Sequence, residues 1–222
     1  MSDDAGFAAL RREMVDKQLA ARGIGDARVL AALSTVPRHL FVESALVDAA
    51  YEDRPLPIGH GQTISQPFMV ARATQLAEVG PGDRALEVGA GCGYQAAVLA
   101  QLCEQVFGVE LLPDLAARAV ATLRTLGITN ATVDSFDGSA GWPAHAPFDV
   151  IIVSAGAPRI PSLLVDQLSE GGRLVIPVGQ GDEQQIAVVR RQGDSYSMTT
   201  DTKCRYVDLL GRYGFGGTPP VA

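Results

Sequence analysis

A short run of glycines preceded by an acidic residue is the part of this sequence whose residue types and spacing point most directly to chemistry. Gly89, Gly91 and Gly93 follow Glu87 at the junction between a predicted strand and a predicted helix. Glycines let the backbone approach a ligand closely, and the first N–H groups of a helix are free to bind polar groups. The run therefore predicts a nucleotide-type binding site. A dinucleotide site is disfavoured, because its fingerprint needs a small residue where Tyr94 stands.

Two further acidic positions follow the next two predicted strands. Glu110 lies 21 residues after Gly89, and Asp137 and Gly138 come after the third strand. Because the carboxyl ends of parallel strands meet at one edge of a sheet, we expect these residues and Glu87 to line one crevice. Carboxylates there favour a ligand with positive charge and hydroxyl groups, which S-adenosylmethionine offers in its ammonium, sulfonium and ribose. An acid at this spacing also occurs in dehydrogenases, so Glu110 alone does not discriminate.

These positions can form one site only in a fold that brings the strand ends together. The pattern of the central chain predicts such a fold. Short apolar runs rich in β-branched residues alternate with helical runs. The predicted strands are 84–88, 105–110, 131–135, 148–154 and 172–179, and the predicted helices between them are 94–103, 113–126 and 160–169. This alternation predicts an α/β fold with a doubly wound, mostly parallel sheet and helices on both faces.

The two ends of the chain follow other patterns. The first 50 residues predict helices, with Asp26 as the N-cap of the second, and the Pro- and Gly-containing stretch 51–66 predicts an irregular loop. Ser65 is predicted to cap the next helix, whose Pro67 suits a first turn and whose N–H groups would form a weak anion site. A C-terminal hairpin and a last strand over 203–210 predict an antiparallel edge, followed by a tail that frays. We expect a single domain of 1–222, with N-terminal helices and loop at 1–65, a Rossmann-like core at 66–180, and an edge hairpin and tail at 181–222.

Composition narrows the class of protein and its surroundings. With 18 Lys and Arg against 25 Asp and Glu, the net charge is −7, which argues against binding of nucleic acid through a basic face. Cys92, Cys103 and Cys204 are too few and too scattered for a disulfide framework, and the 3 histidines lack metal-ligand spacing. The sequence shows neither the apolar core of a secretory signal nor an apolar stretch of membrane-spanning length. We therefore expect a globular cytoplasmic protein that uses no metal and binds neither nucleic acid nor membrane.

Several motifs together resemble those of the protein-L-isoaspartate O-methyltransferases. They are PRHLFV (37–42), PLPIGHGQTISQP (55–67), LEVGAGCGY (86–94), DG (137–138), APFDVIIVSAGAP (146–158) and GGRLVIPVG (171–179). The glycine motif is shared by many methyltransferases, whereas the GQTISQP loop is specific to this family. The resemblance covers nearly the whole chain and implies a class I methyltransferase fold. It also implies transfer of a methyl group from S-adenosylmethionine to the free carboxylate of an isoaspartyl residue in an aged protein, with S-adenosylhomocysteine as the product.

The resemblance also implies roles for individual residues. Ser65 matches the family's active-site serine, whose hydroxyl would orient the substrate carboxylate. Together with the glycine motif, the residues implied for the cofactor are Thr63, Ile64, Glu87, Gly89, Gly91, Gly93, Glu110, Asp137 and Gly138. Those implied for the substrate are Ile64, Ser65, Ser154, Ala155, Tyr206 and Val207. The partners implied are isoaspartyl-containing proteins and peptides, and we expect the enzyme to be monomeric.

Three positions depart from the family pattern. Cys92 stands where Ser or Thr is common, Gly156 where alanine is usual, and Asp208 where proline is usual. We expect Gly156 to loosen the substrate side through added backbone freedom. We expect Asp208 to change substrate preference, because it adds a carboxylate near an anionic substrate. These departures keep open a methyltransferase acting on a small-molecule carboxylate, and a non-catalytic cofactor-binding protein of the same fold stays open as a second alternative.

Overall fold

A seven-stranded sheet forms the centre of the fold, seen in a computed structural model that describes residues 3–216. The strands of the chain are β1 (Leu56–Gly59), β2 (Gln62–Ile64), β3 (Arg84–Val88), β4 (Gln105–Glu110), β5 (Ala131–Ser135), β6 (Phe148–Val153), β7 (Leu168–Val178), β8 (Gln185–Gln192) and β9 (Ser195–Lys203). The sheet order is β5-β4-β3-β6-β7-β8-β9, and β1 and β2 pair separately. Neighbours among β3 to β7 are parallel, whereas β8 and β9 pair antiparallel. The mostly parallel sheet with an antiparallel C-terminal edge is therefore confirmed.

Helices cover both faces of this sheet. They are α1 (Asp3–Glu13), α2 (Ala27–Thr35), α3 (Pro67–Ala77), α4 (Tyr94–Leu99), α5 (Pro113–Thr125) and α6 (Ser162–Asp166), with a π-helical turn at Met14–Leu19 and 3-10 turns at Arg38–Phe41 and Ser44–Ala49. Alternate residues of β6 point to opposite faces. Val150 and Ile152 join the core under the N-terminal helices, α3 and α4, and Ile151 and Val153 join a second core beside α6. Burial on both faces explains why β6 is apolar without alternation.

Local signals place the N-terminal helices where the sequence predicts helices. The Asp26 carboxylate accepts a hydrogen bond from the Arg28 N–H at 2.8 Å, which confirms Asp26 as the N-cap of α2. Helix α2 ends at Thr35, two residues before Pro37, whose ring does not fit a helix interior. The 3-10 turn that follows carries Arg38 into the interior, where its side chain is fully buried.

Two predictions of local structure in the middle of the chain are wrong. The stretch 51–66 is not wholly irregular, because β1 and β2 form a short hairpin in which Leu56 lies opposite Ile64. Both side chains are buried in the core, and this burial stabilises a hairpin that the irregular spacing of the apolar residues does not indicate. Helix α6 is shorter than the predicted helix over 160–169, because β7 already begins at Leu168.

The C-terminal edge follows the prediction only in part. The hairpin of β8 and β9 is confirmed. The separate last strand predicted over 203–210 is wrong, because β9 itself extends to Lys203 and Asp208 forms only an isolated bridge with Gly156. The tail segment 217–222, predicted to fray, lies outside the described residues.

Candidate active site

The candidate site lies at the carboxyl edge of the sheet, where the strand order reverses. Strands β3 and β6 are neighbours there although they are not consecutive in the chain, and such a switch point opens a crevice between strand ends. Its lining includes Gly89 and Gly91 after β3, Glu110 at the end of β4, Gly138 after β5, and Ser154 and Ala155 after β6. Thr63 of β2 and Val207 near the C-terminus also line it. The structure thus brings into one crevice most of the residues that the sequence predicts for the cofactor.

A local network fixes the glycine turn at one wall of this crevice. Gly89 and Gly91 have φ angles of 81° and 54°, a region that favours glycine. The Gly91 N–H donates to Glu110 Oε2 at 2.7 Å, and the Leu112 N–H donates to Glu110 Oε1 at 2.9 Å. The buried Glu110 carboxylate therefore joins the turn to the start of α5. A carboxylate has about four lone-pair positions, so Glu110 keeps acceptor capacity for the hydroxyls of a ligand.

Glu87 provides a second buried carboxyl behind the glycine turn. Only 1% of the residue is exposed. Ser154 Oγ donates to Glu87 Oε1 at 2.9 Å, whereas Glu87 Oε2 is buried with no hydrogen-bond partner among the described residues. The pKa of Glu87 is raised to about 8: burial is the main cause, the Ser154 hydrogen bond opposes the rise, and the nearby Glu110 charge adds to it. A positively charged ligand group would stabilise the ionised carboxylate, so this site fits the ammonium or sulfonium of S-adenosylmethionine.

Two residues predicted to bind the cofactor have evident structural roles. Gly93 precedes α4, and a Cβ at this position would lie 3.0 Å from the Ala119 Cβ of α5, so glycine permits the two helices to approach closely. Asp137 accepts hydrogen bonds from the Ser139 N–H at 2.9 Å and the Arg212 N–H at 2.8 Å. Asp137 therefore holds the C-terminal segment against the loop after β5. Direct contact of either residue with the cofactor stays a prediction.

Ser65 lies between the glycine turn and a larger space. With Ile64, Glu87, Gly89 and Ser154 it lines a cavity next to the glycine turn. Ser65 also lines a second space, which we call the outer groove, whose walls include Ser65, Gln66, Met69, Ser154, Tyr206 and Val207. Ser154 borders the crevice, the cavity and the outer groove. The two serines therefore stand between the candidate cofactor space and the larger outer groove.

The prediction that Ser65 caps α3 is wrong. The N-cap position is Gln66, and the Asp53 carboxylate accepts the Phe68 N–H at 2.9 Å. Asp53 also accepts a hydrogen bond from Gln66 Nε2 at 2.7 Å. Because a carboxylate already binds the start of α3, the anion site expected there is wrong as well. The Ser65 hydroxyl is therefore not used for capping, and the residue lines both the cavity and the outer groove.

Arg38 positions the backbone of Ser65, a role that sequence reasoning missed. Its Nε donates to the Ala50 carbonyl at 2.8 Å, and its Nη2 donates to the Ser65 carbonyl at 2.8 Å. The guanidinium carbon lies 4.8 Å from the centre of the Tyr94 ring. The motif PRHLFV contains Arg38, but its partners are backbone carbonyls, which leave no pattern in a sequence. This fully buried cation therefore fixes the end of the loop that carries the candidate catalytic serine.

Cys92 is not activated for chemistry, and the described residues offer no cluster of metal ligands. Burial raises the pKa of Cys92 to about 11, so the group is a thiol at neutral pH and not an activated nucleophile. Among residues 3–216, no group of three or more His, Cys, Asp and Glu side chains is arranged to hold a metal ion.

The segment after β9 closes the outer groove. The Gly156 N–H donates to the Val207 carbonyl at 2.8 Å, and the Leu209 N–H donates to the Gly156 carbonyl at 2.7 Å. These bonds place Val207 between the crevice and the outer groove. Asp208 lines the crevice, and its effect on substrate preference stays a prediction.

Comparison with solved structures defines the class of this fold. A protein-L-isoaspartate O-methyltransferase superimposes with a TM-score of 0.84 at 28% identity, covering 92% of this chain and 67% of that one. A Plasmodium falciparum protein of the same kind, solved in complex with S-adenosyl-L-homocysteine, gives a TM-score of 0.78 at 27% identity, covering 90% of this chain and 98% of that one. The mostly parallel sheet with a glycine turn at its switch point is thus that of a class I methyltransferase.

Sequence comparison identifies the family within this class. The model of the protein-L-isoaspartate(D-aspartate) O-methyltransferase (PCMT) family matches residues 9–214. Protein-L-isoaspartate O-methyltransferase 1 of Syntrophobacter fumaroxidans is 51% identical over 211 residues, which is 95% of this chain and 99% of that protein. The Methanoculleus marisnigri enzyme is 51% identical over 208 residues, or 93% of this chain and 94% of that protein. The chain belongs to the PCMT family.

Proposed function

We propose that this chain transfers the methyl group of S-adenosylmethionine to the free carboxylate of L-isoaspartyl residues in damaged proteins and peptides. Membership of the family supports the reaction and the cofactor. The observation that carries the proposal is the position of Ser65, which lines both the cavity beside the glycine turn and the outer groove. A methyl donor bound in the crevice and a carboxylate presented from the groove would meet at this residue.

The residues of the crevice fit the cofactor and have distinct tasks. When bound, S-adenosylmethionine supplies a methyl group activated by its sulfonium. Glu110 stands at the strand end where it can accept hydrogen bonds from ribose hydroxyls, and Gly138 lines the wall where the base would lie. Glu87 offers a buried, unpaired oxygen to a positive group. The glycine turn keeps this wall free of side chains.

The main task of the outer groove is to position the substrate carboxylate. A substrate carboxylate is already ionised at pH 7, so its attack needs no general base. It needs a carboxylate oxygen held in line with the methyl group at about 3–3.5 Å, with water excluded. The hydroxyl of Ser65 would donate a hydrogen bond to the other carboxylate oxygen, and Ser154 stands beside it. Tyr206 and Val207 would hold the peptide along the groove wall.

Paired peptides that differ only in one linkage test this function. The protein is incubated with S-adenosylmethionine carrying a labelled methyl group and with an isoaspartyl peptide or its aspartyl counterpart. We expect base-labile label on the isoaspartyl peptide and little on the other. Equal labelling of both peptides, or labelling of a small carboxylate alone, would favour a small-molecule methyltransferase. Cofactor binding in calorimetry without turnover on any carboxylate would favour a non-catalytic binding protein.

We also propose that the enzyme works as a monomer in the cytoplasm. The acidic net charge of −7 and the scattered cysteines support a reducing compartment without nucleic acid as a partner. In the part of the chain that the structure describes, no helix is long and apolar enough to cross a membrane. Light scattering coupled to size exclusion checks the oligomeric state, and cell fractionation checks the compartment.

A further inference from the structure

Gln184 is a fully buried amide beside the segment that closes the outer groove. It lies just before β8 and is 0% exposed. Burying an amide is costly unless its hydrogen bonds are satisfied. The Tyr206 N–H donates to Gln184 Oε1 at 2.7 Å, and Gln184 Nε2 donates to the Tyr206 carbonyl at 3.2 Å. The Cys204 N–H also donates to the Gln184 carbonyl at 2.9 Å. Gln184 thus binds both main-chain groups of Tyr206 as a neighbouring strand would.

The pairing of Gln184 with Tyr206 takes the place of a partner strand, which the segment after β9 lacks. Strand β9 ends at Lys203, and beyond it the backbone is held by the Cys204 N–H bond to Gln184 and, further on, by the bridge between Asp208 and Gly156. Tyr206 therefore depends on a side chain for bonds that strand residues obtain from a partner backbone. The Gln184 amide fixes the wall of the groove at this point.

Gly156 makes the room that this amide occupies. A Cβ at position 156 would lie 2.5 Å from Gln184 Nε2 and 2.7 Å from Gln184 Cδ, both far inside van der Waals contact. Gly156 is not among the residues with positive φ, so its backbone conformation does not itself require glycine. The missing side chain lets Gln184 reach Tyr206, and the expected loosening of the substrate side by Gly156 stays a prediction. An alanine there would push the amide away from its two partners.

We infer that Gln184 is a positioning residue of the outer groove and that Gly156, which has no Cβ, provides the space for the Gln184 amide. This inference rests on the proposed function, because Tyr206 and Val207 would bind the isoaspartyl peptide. Both residues line the outer groove together with Ser65 and Ser154. A displaced Tyr206 would move the peptide relative to Ser65 while leaving the glycine turn and Glu110 in place. The Gln184 clamp, meaning its two side-chain bonds to Tyr206, therefore acts on peptide binding and not on cofactor binding.

A double-mutant cycle tests the pair. Gln184→Ala, Gly156→Ala and the double variant are compared for KM and kcat with an isoaspartyl peptide and for Kd with S-adenosylhomocysteine. We expect each single change to raise the peptide KM by about five- to tenfold, the scale of one or two lost hydrogen bonds, with Kd changed less than about twofold. The double variant should resemble Gln184→Ala alone, because the new methyl group at position 156 then has no amide to displace. Multiplied effects in the double variant, or unchanged peptide KM in both single variants, overturn the inference.

Gln167 supplies a matched control on the other side of the fold. It is also buried, its Nε2 donates to the Ala140 and Leu163 carbonyls, and its Oε1 accepts the Trp142 N–H. Gln167→Ala removes a comparable set of bonds away from the outer groove. We expect it to lower the melting temperature about as much as Gln184→Ala does while leaving the peptide KM unchanged. An equal rise in KM for both variants would mean that general loosening, not the clamp, is responsible.

Two further measurements keep the inference separate from the proposed function. Gln184→Glu preserves the shape, and because burial favours the protonated carboxyl, the side chain can still accept the Tyr206 N–H and donate to the Tyr206 carbonyl with altered geometry. We expect it to raise the peptide KM less than Gln184→Ala does. Amide hydrogen exchange reads the clamp without any substrate: the Tyr206 N–H should exchange at least about tenfold faster in Gln184→Ala. A wild-type protein with no isoaspartyl preference would end the proposed function, whereas unchanged Tyr206 exchange would end the clamp.

Discussion

The cofactor crevice and the outer groove are built by different means. The crevice is made of turns that leave neighbouring parallel strands, so the sheet register itself brings Gly89, Glu110 and Ser154 together. The outer groove is lined largely by segments outside the seven-stranded sheet, and buried polar side chains hold two of these segments by their backbones. Arg38 reaches Ser65 across 27 residues, and Gln184 reaches Tyr206 across 22.

This difference predicts that the two regions respond separately to mutation. Changes behind the outer groove should alter peptide turnover and stability while cofactor affinity persists. Changes in the crevice should alter cofactor affinity while peptide binding persists. The serines at the junction should affect neither binding step strongly but should affect the chemical step, because both ligands meet there.

The largest effect is expected behind the outer groove. Arg38→Ala removes hydrogen bonds to two carbonyls and leaves a cavity against Tyr94. We expect a loss of about 3 kcal/mol in the free energy of unfolding, measured by urea denaturation. In protein that remains folded, peptide turnover should fall and the Kd for S-adenosylhomocysteine should stay within about twofold. Arg38→Lys, which keeps the charge, should lose less stability; parallel losses of peptide and cofactor binding would contradict the separation.

The next largest effect is expected at the junction. Ser65→Ala removes the hydroxyl of a residue that lines both spaces, and loss of alignment of this kind costs about a hundredfold in kcat. Cofactor Kd, measured by calorimetry, should remain within about twofold of the wild-type value. Ser169→Ala is the control, because the Ser169 hydroxyl binds Asp149 at 2.7 Å at the other end of the sheet. A comparable fall in cofactor affinity would assign Ser65 to the crevice alone.

In the crevice, the corresponding substitution removes the expected contact with the ribose of the cofactor. Glu110→Ala should weaken cofactor binding by roughly 1.5–3 kcal/mol, the range for a hydrogen bond to a charged group. Peptide KM at saturating cofactor should hardly change. Glu104→Ala removes the same charge from an exposed position just before β4 and should leave Kd unaltered. Unchanged cofactor affinity in Glu110→Ala would remove Glu110 from the site.

The same contrast explains which features the sequence can predict. The Asp26 cap is predicted correctly because its bond to Arg28 spans two residues. The cap assigned to Ser65 is wrong because Asp53, 15 residues from Phe68, supplies the acceptor instead. Glycines and acidic residues at strand ends have a recognisable spacing in the sequence, so most of the crevice is predictable. Arg38 and Gln184 bind backbone groups of any residue type, so the outer groove leaves no comparable signal.

The smallest effect at neutral pH concerns the protonation of Glu87 in the crevice. The pKa of Glu87 is raised to about 8 chiefly by burial, so the free protein holds this carboxyl mostly protonated at pH 7. A bound positive group favours the carboxylate, so binding should expel the proton. Cofactor affinity should therefore rise with pH up to about 8 and level off above it, by at most about tenfold per pH unit.

Calorimetry of cofactor binding between about pH 6 and pH 9 measures this linkage. Running each point in buffers of different ionisation enthalpy counts the protons released. The isosteric variant Glu87→Gln has no proton to release, so its profile isolates the titration of the ligand's own amino group. S-adenosylhomocysteine lacks the sulfonium but keeps the ammonium. A shallower profile with that ligand would mean that Glu87 responds to the sulfonium, and an equal profile would mean that it responds to the ammonium. Identical profiles for wild type and Glu87→Gln would exclude Glu87 from the charge balance of the crevice.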